Sequence, residues 1–314
     1  MPAGSGRPRW SVMIPTYNCA RYLRQTLASV LSQDPAPGGM QIEVVDDAST
    51  SDDPESIVRE LGKGRVTFYR KSLNEGAIAN FNTCLSRSRG SLVHILHGDD
   101  FVAPGFYSRL GAAIAAHPDT SAFFVRCRIV QEDGTLDTIA DRMHTLACPT
   151  RSAREIYYTN ALYTPGVVVR RSFYERHGGF LPDLLHCADC EMWARAISNA
   201  GGLWLNELLA SYRSFGGNDT NRLARSAENI RDRVRLALLF ADRFEDFDLE
   251  FCLRIIARTA LRQMQRFAMA KDPAGVEANR RAYCALAPLS RRLLLRLWDR
   301  EIGINPVRAQ RNGS

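Results

Sequence analysis

Three pairs of carboxylates stand out in this chain of 314 residues. Asp99 and Asp100 follow an apolar run in residues 93–101, VHILHGDDF, that reads as a strand entering a core. Asp46 and Asp47 end a second apolar run, IEVVDDAST. Asp189 and Glu191 open the pattern ADCEMWARAISNAG, in which Met192, Trp193 and Ile197 mark one helical face. A carboxylate is costly to bury unless something compensates its charge. The plain readings are turn formation for Asp46 and Asp47, a helix cap for Asp100, and acids complementing a positive helix start for Asp189 and Glu191.

The surrounding elements place these acids. WSVMIP reads as a strand stopped by proline, and CARYLRQTLASVLSQ as an amphipathic helix. MQIEVVD is a second strand, and DPESIVREL a helix capped by Asp53 ahead of Pro54. RVTFYRK is a third strand, NEGAIANFNTCLSRSRG a turn and helix, and SLVHILHGDD a fourth strand. Strand alternating with helix predicts an α/β domain with a mostly parallel sheet. In such sheets ligands bind beyond the carboxyl ends of the strands. TYN, DDAST, NEG and GDD each follow a strand, so four separate regions are expected to converge on one rim. A solvated turn explains any one of them better than all four.

Further on, residues 104–117 read as a helix, and SAFFVRCRIVQEDGTLDTIA as two strands joined at Asp133-Gly134. Residues 141–165 read as irregular. GVVVRRSFYERHGGF reads as a strand and short helix, and GLWLNELLASYR as two short strands. From residue 221 the pattern is mainly helical, broken at KDPAG.

Composition bounds the classes. The chain is 45% apolar and 24% charged, ordinary for a globular protein. No apolar run approaches a membrane span, and the opening MPAGSGRPRW has no signal-peptide core, so a cytoplasmic protein is expected. Eight cysteines then default to thiols. Cys187 and Cys190 have C-x-x-C spacing beside His186, but without a second pair they read as small packed residues rather than a zinc site. The net charge of +7 is uneven: residues 1–221 hold 22 Lys/Arg against 23 Asp/Glu, and residues 222–314 hold 19 against 11.

VVDDAST and LHGDD together, with SVMIPTYN, NEG, HGGF and ADCEMWARA in that order, resemble family 2 glycosyltransferases, inverting enzymes of the GT-A fold. The resemblance runs from Ser11 to about Thr220. It implies a Rossmann-like α/β fold with a mostly parallel central sheet and, here, a C-terminal helical extension. The expected organisation is a flexible tail over 1–9, a nucleotide-sugar-binding half over 10–110, an acceptor-binding half over 111–221 and a basic helical extension over 222–314.

The resemblance also implies roles. Pro15, Thr16, Tyr17 and Asp47 match the nucleotide-holding positions; a carboxylate can accept a base N–H and a tyrosine ring can pack on the base. Asn74 and Gly76 match the family's N-x-G, and Asn82 its later asparagine. Asp99, with Asp100 assisting, matches the acids that bind a divalent cation, Mn2+ or Mg2+, which bridges the diphosphate oxygens. Asp189 matches the acceptor-side base, which takes the proton of an acceptor hydroxyl, and Glu191 is the alternative. Arg213 in SYRSF becomes a phosphate contact. Four positions depart from the pattern. His97 stands for the first acid of D-x-D-D, Phe81 for an arginine, Ala188 for an acid and Phe215 for a histidine.

The implied activity is transfer of a hexosyl-type sugar from a nucleotide-diphosphate sugar, UDP type favoured, to a saccharide or lipid-linked hydroxyl, commonly in polysaccharide biosynthesis. The alternatives are a non-catalytic nucleotide-sugar-binding relative and a sugar-phosphate nucleotidyltransferase; the latter's glycine-rich basic phosphate loop is missing. PLSRRLLLRLWDR puts Leu289, Leu293, Leu297 and Trp298 on one helical face and Arg292, Arg296 and Arg300 on another. Such a helix can lie on an anionic membrane, making the protein peripheral to its inner face, or cover the domain or a homodimer partner. Aromatics are sparse among these arginines, so no nucleic-acid partner is expected.

Overall fold

The structure, a computed structural model, describes residues 6–34, 39–140, 149–158 and 162–286. The chain divides into two compact units: residues up to Pro182 with Ala188–Ser214, and Asp183–Cys187 with the chain from Phe215 onward.

The first unit alternates strand and helix as expected. Its first part comprises β1 (Trp10–Thr16), α1 (Ala20–Leu31), β2 (Met40–Asp46), α2 (Pro54–Gly62), β3 (Thr67–Arg70), α3 (Ala77–Arg87) and β4 (Leu92–Ile95). Then come β5 (Phe101–Val102), α4 (Phe106–Ala116), β6 (Ala122–Val130), β7 (Leu136–Ile139) and α5 (Arg154–Tyr157). A single 3-10 turn, Thr164–Gly166, precedes β8 (Val167–Arg170), α6 (Arg171–His177), α7 (Ala188–Ala200) and β9 (Gly202–Arg213). The sheet runs β3-β2-β1-β4-β8-β6-β9-β5, with β7 on β6. Strands β3, β2, β1 and β4 are all parallel, and β9 is parallel to β6; β8 and β5 run antiparallel to their neighbours.

Every residue of β1 and β2 is buried, as parallel strands covered on both faces require. Their register sets the rim. Thr16 pairs with Asp46 and Asp46 with Arg70, so TYN, DDAST and the turn after β3 leave the sheet at one level. The chain after β4 continues the ladder: the Leu96 and Gly98 N–H groups donate to the Met13 and Pro15 carbonyls. Helix α2 starts as predicted, with Pro54 in the first turn and the Asp53 side chain accepting the Ser56 N–H at 3.2 Å.

Three local expectations are corrected. GLWLNELLASYR is one strand, not two; Leu205 pairs with Val125 and Leu208 with Arg126, so Asn206 and Glu207 bulge out of a continuous β9. Asp100 does not cap a helix, because β5 follows it directly. Pro8 and Arg9 do not belong to a free tail: their carbonyls accept the Ser91 and Leu92 N–H groups, and Arg9 Nη2 donates to the Gly111 carbonyl.

The second unit contains α8 (Asp219–Arg225), α9 (Glu228–Arg243), α10 (Leu249–Met269) and α11 (Pro273–Leu286). Ile230, Leu236, Phe240, Ile256 and Leu261 form part of its buried interior. Segment 183–187 joins it through Asp232, whose buried carboxylate accepts the His186 and Cys187 N–H groups, each at 2.7 Å. The basic helix expected over 288–300 lies outside the described residues, as do residues 1–5, 141–148 and 159–161. Among the described residues no helix is long and apolar enough to cross a membrane.

Candidate functional site

The ends of β1, β2, β3 and β4 supply the rim. Asn18, with φ 50°, joins the first two: its Oδ1 accepts the Thr50 and Ser51 N–H groups at 2.9 and 3.0 Å. Pro15 and Thr16 are buried and Tyr17 is 46% exposed at the turn. Asp46 is engaged by Ser49 and by Arg70 Nε at 2.7 Å. Asp47 accepts from Lys71 Nζ at 2.6 Å and from the Glu75 and Gly76 N–H groups at 3.2 and 2.8 Å. Gly76 sits at φ 90°, where a side chain would be strained. Asn74 is exposed beside it. Lys71 carries no motif in the sequence; only the parallel pairing of β2 with β3 brings it to Asp47.

The GDD turn is held from behind. Thr26 Oγ1 on α1 donates to the Gly98 and Asp100 carbonyls at 3.0 and 2.7 Å. A Cβ on Gly98 would fall 3.0 Å from both Cys19 Sγ and Thr16 Oγ1, so glycine lets this turn rest on the end of β1. From β9, the Arg213 N–H donates to Asp100 Oδ1 at 2.8 Å, and Arg213 Nε to the Asp99 carbonyl at 2.9 Å. The rest of the Arg213 guanidinium donates to the Glu132 carbonyl and to Gln25 Oε1 and lies over the Tyr22 ring. Arg213, expected at a phosphate, is thus built in as a strut between β9, the β6–β7 hairpin and the GDD turn.

The carboxylates of that turn crowd together. His97, Asp99 and Asp100 place their donor atoms within 4.8 Å of one another, the one such group of metal-ligating side chains among the described residues. Asp100 is fully buried, and its Oδ2 has no hydrogen-bond partner. Burial, and then the charge of Asp100, pushes the Asp99 carboxyl up to about 7. Burial lowers the His97 pKa, but contact with Asp100 and the charges of Asp100, Asp99 and Asp189 outweigh it, and the net direction is upward. One buried carboxylate oxygen without a hydrogen-bond partner, beside a second carboxylate and an imidazole, fits a divalent cation. The Cys187/Cys190 pair forms no such group among the described residues.

Asp189 and Glu191 both lie in the first turn of α7 but differ in setting. Asp189 is partly exposed, and its Oδ1 accepts the Cys190 N–H at 2.7 Å. Glu191 is fully buried and gripped by Arg195, with Nε and Nη2 each at 3.0 Å. Arg195 also donates to the His177 and Gly179 carbonyls, so this pair fastens the HGGF segment. Asn82 holds the same segment: it donates to the Phe180 carbonyl at 2.9 Å and accepts the Phe180 N–H at 2.8 Å. Asn82 and Glu191 thus both hold the HGGF segment in place.

Comparison with known proteins agrees with this architecture. The profile of Glycosyl transferase family 2 matches residues 11–178, more than half of the chain. An uncharacterized protein of Mycobacterium tuberculosis is 27% identical over 242 residues, 73% of this chain and 75% of that one. Among solved structures, S. aureus TarS 1–349 in complex with UDP-GlcNAc superposes with a TM-score of 0.57 at 18% identity, covering 89% of this chain and 92% of TarS 1–349. The mannosyltransferase PcManGT from Pyrobaculum calidifontis, in complex with GDP-Man and Mn2+, gives a TM-score of 0.57 at 20% identity, covering 98% and 84%. At those identities the structural likeness speaks for the fold, which is GT-A, and the sequence profile for the family. The chain belongs to glycosyltransferase family 2.

Proposed function

We propose that the protein transfers a sugar, with inversion, from a nucleotide-diphosphate sugar to a hydroxyl of a saccharide or lipid-linked acceptor. The observation that carries this reading is the cluster of His97, Asp99 and Asp100 at the end of β4, with Asp189 close enough for its charge to act on His97. The structural neighbours' complexes with UDP-GlcNAc and with GDP-Man and Mn2+ support a nucleotide sugar as the donor class.

In this reading the chain's own residues divide the work. Pro15, Thr16, Tyr17, Asp47, Asn74 and Gly76 form the nucleotide side, with Tyr17 offering an open ring to the base. Asp47 reaches the base as one member of a network with Lys71 and two N–H groups. Asp99 and Asp100 would hold the cation, Mn2+ or Mg2+, which supplies charge neutralisation for the departing nucleoside diphosphate. Asp189 accepts the proton of the attacking hydroxyl. Arg213, Thr26 and Gly98 fix the GDD turn, while Asn82, Glu191 and Arg195 fix the HGGF segment beside α7.

The test is direct. The protein is titrated with a panel of nucleotide sugars, with and without Mn2+ or Mg2+, and donor binding and slow donor hydrolysis are measured. At least one donor should bind, and the cation should tighten it. Failure to bind any nucleotide sugar overturns the reading.

A further inference from the structure

Two departures from the family pattern touch each other. His97 stands where the pattern carries an acid, Phe81 where it carries an arginine, and their rings stack with centroids 5.1 Å apart and planes 12° from parallel. Phe180 closes edge-on against Phe81 at 5.5 Å, and Asn82 pins Phe180 by its backbone. The imidazole plane is therefore set by a supported aromatic face.

His97 Nδ1 lies 3.2 Å from Asp100 Oδ2. The contact lacks hydrogen-bond alignment, since Asp100 Oδ2 has no hydrogen-bond partner; His97 Nε2 is also buried without one. Asp100 is not free to turn toward a better partner, because the Arg213 N–H holds its other oxygen. A separation near 3 Å is what two neighbouring ligands on one octahedral ion require, at about 2.1 Å each from the ion. Phe81 matters here for its charge. A guanidinium against the ring would repel a bound cation; an uncharged phenyl does not.

We propose that His97 is a nitrogen ligand of the ion held by Asp99 and Asp100, and that it makes the site select a first-row transition ion over Mg2+. The proposal rests on the metal-assisted reading above. Mg2+ takes oxygen ligands and parts reluctantly with water. Imidazole instead favours transition ions, with affinity rising from Mn2+ to Co2+ and beyond. Phe81 is the positioning residue for His97.

The experiment uses the full chain with Mn2+ as probe. Pulsed electron paramagnetic resonance of the Mn2+-loaded protein should show 14N coupling, which changes to the 15N pattern when histidine is 15N-labelled. This measurement needs no variant. His97→Gln should lose the coupling and weaken Mn2+ binding by roughly tenfold or more. His97→Asp should lower the Mn2+-over-Mg2+ preference by about the same factor. If Mn2+ binds, and Asp99→Ala abolishes that binding, yet no histidine coupling appears, the inference fails and the metal-assisted reading stands. An unchanged ion preference in folded His97→Asp also overturns it. If the native chain binds no Mn2+ even with UDP or GDP present, both fall.

Discussion

Lys71 Nζ lies 2.6 Å from Asp47 Oδ1, with both side chains almost completely buried. The acid matched to base recognition is thus already half of an ion pair. Its remaining partners are the N–H groups that open the turn into α3. Lys71→Met leaves a buried carboxylate with those two donors alone. We expect a loss of about 3 kcal/mol in stability, the low end for a broken buried pair, and weaker donor binding. Denaturant unfolding and donor titration check the two effects separately.

Asp189 and Glu191 are two residues apart and should fail in different ways. Asp189→Asn should lower kcat by roughly 10²–10⁴-fold, the usual worth of a general base, with donor binding and Tm little changed. Glu191→Gln should unfold more easily by about 3 kcal/mol, because it leaves the Arg195 guanidinium without its charged partner. Full transfer by Asp189→Asn would move the base elsewhere.

Asp99 is held at a cost to the cation-free protein, since it is buried beside Asp100. Asp99→Asn removes that repulsion. The cation-free variant should be more stable than the native protein and should no longer bind a divalent ion. Scanning calorimetry with and without Mn2+ tests this: the native protein should gain Tm on adding Mn2+, and the variant should not.

His94 gives a pH dependence away from the rim. It is fully buried on β4, with Nδ1 3.2 Å from the Tyr107 hydroxyl, Nε2 3.0 Å from the Pro165 carbonyl, and its ring stacked on Phe106. Burial depresses its pKa from 6.5 to about 4. The unfolded chain therefore takes up a proton near pH 6.5, and the folded one only near pH 4. Stability is full above pH 6.5 and is lost as pH falls toward 4, by about 3 kcal/mol in all. The difference between unfolding curves of native protein and His94→Gln, measured from pH 7 to 4.5, should show this slope; a flat difference refutes it.

Much of the frame was legible in advance. The apolar runs of β1, β2 and β4 and the polar residues that stop them are local signals, and a parallel sheet buries such runs on both faces. Less local features were hidden. The bulge at Asn206 and Glu207 looked like a strand break, because two polar residues interrupt the alternation. The allegiance of segment 183–187 depends on Asp232, 46 residues from His186.

By itself the sequence determined the order of the strands and the placing of TYN, DDAST, NEG and GDD at their ends, because strand and turn preferences act over a few residues. Only the tertiary structure decided which carboxylates are compensated and which stand open. Asp46 and Asp47 find Arg70 and Lys71, each 24 residues away, through the β2–β3 pairing. Glu191 finds Arg195 one helical turn on, and Asp100 Oδ1 finds the Arg213 N–H from 113 residues away. Asp99 and Asp100 Oδ2 meet the His97 imidazole instead, while Arg213 reaches their turn from β9.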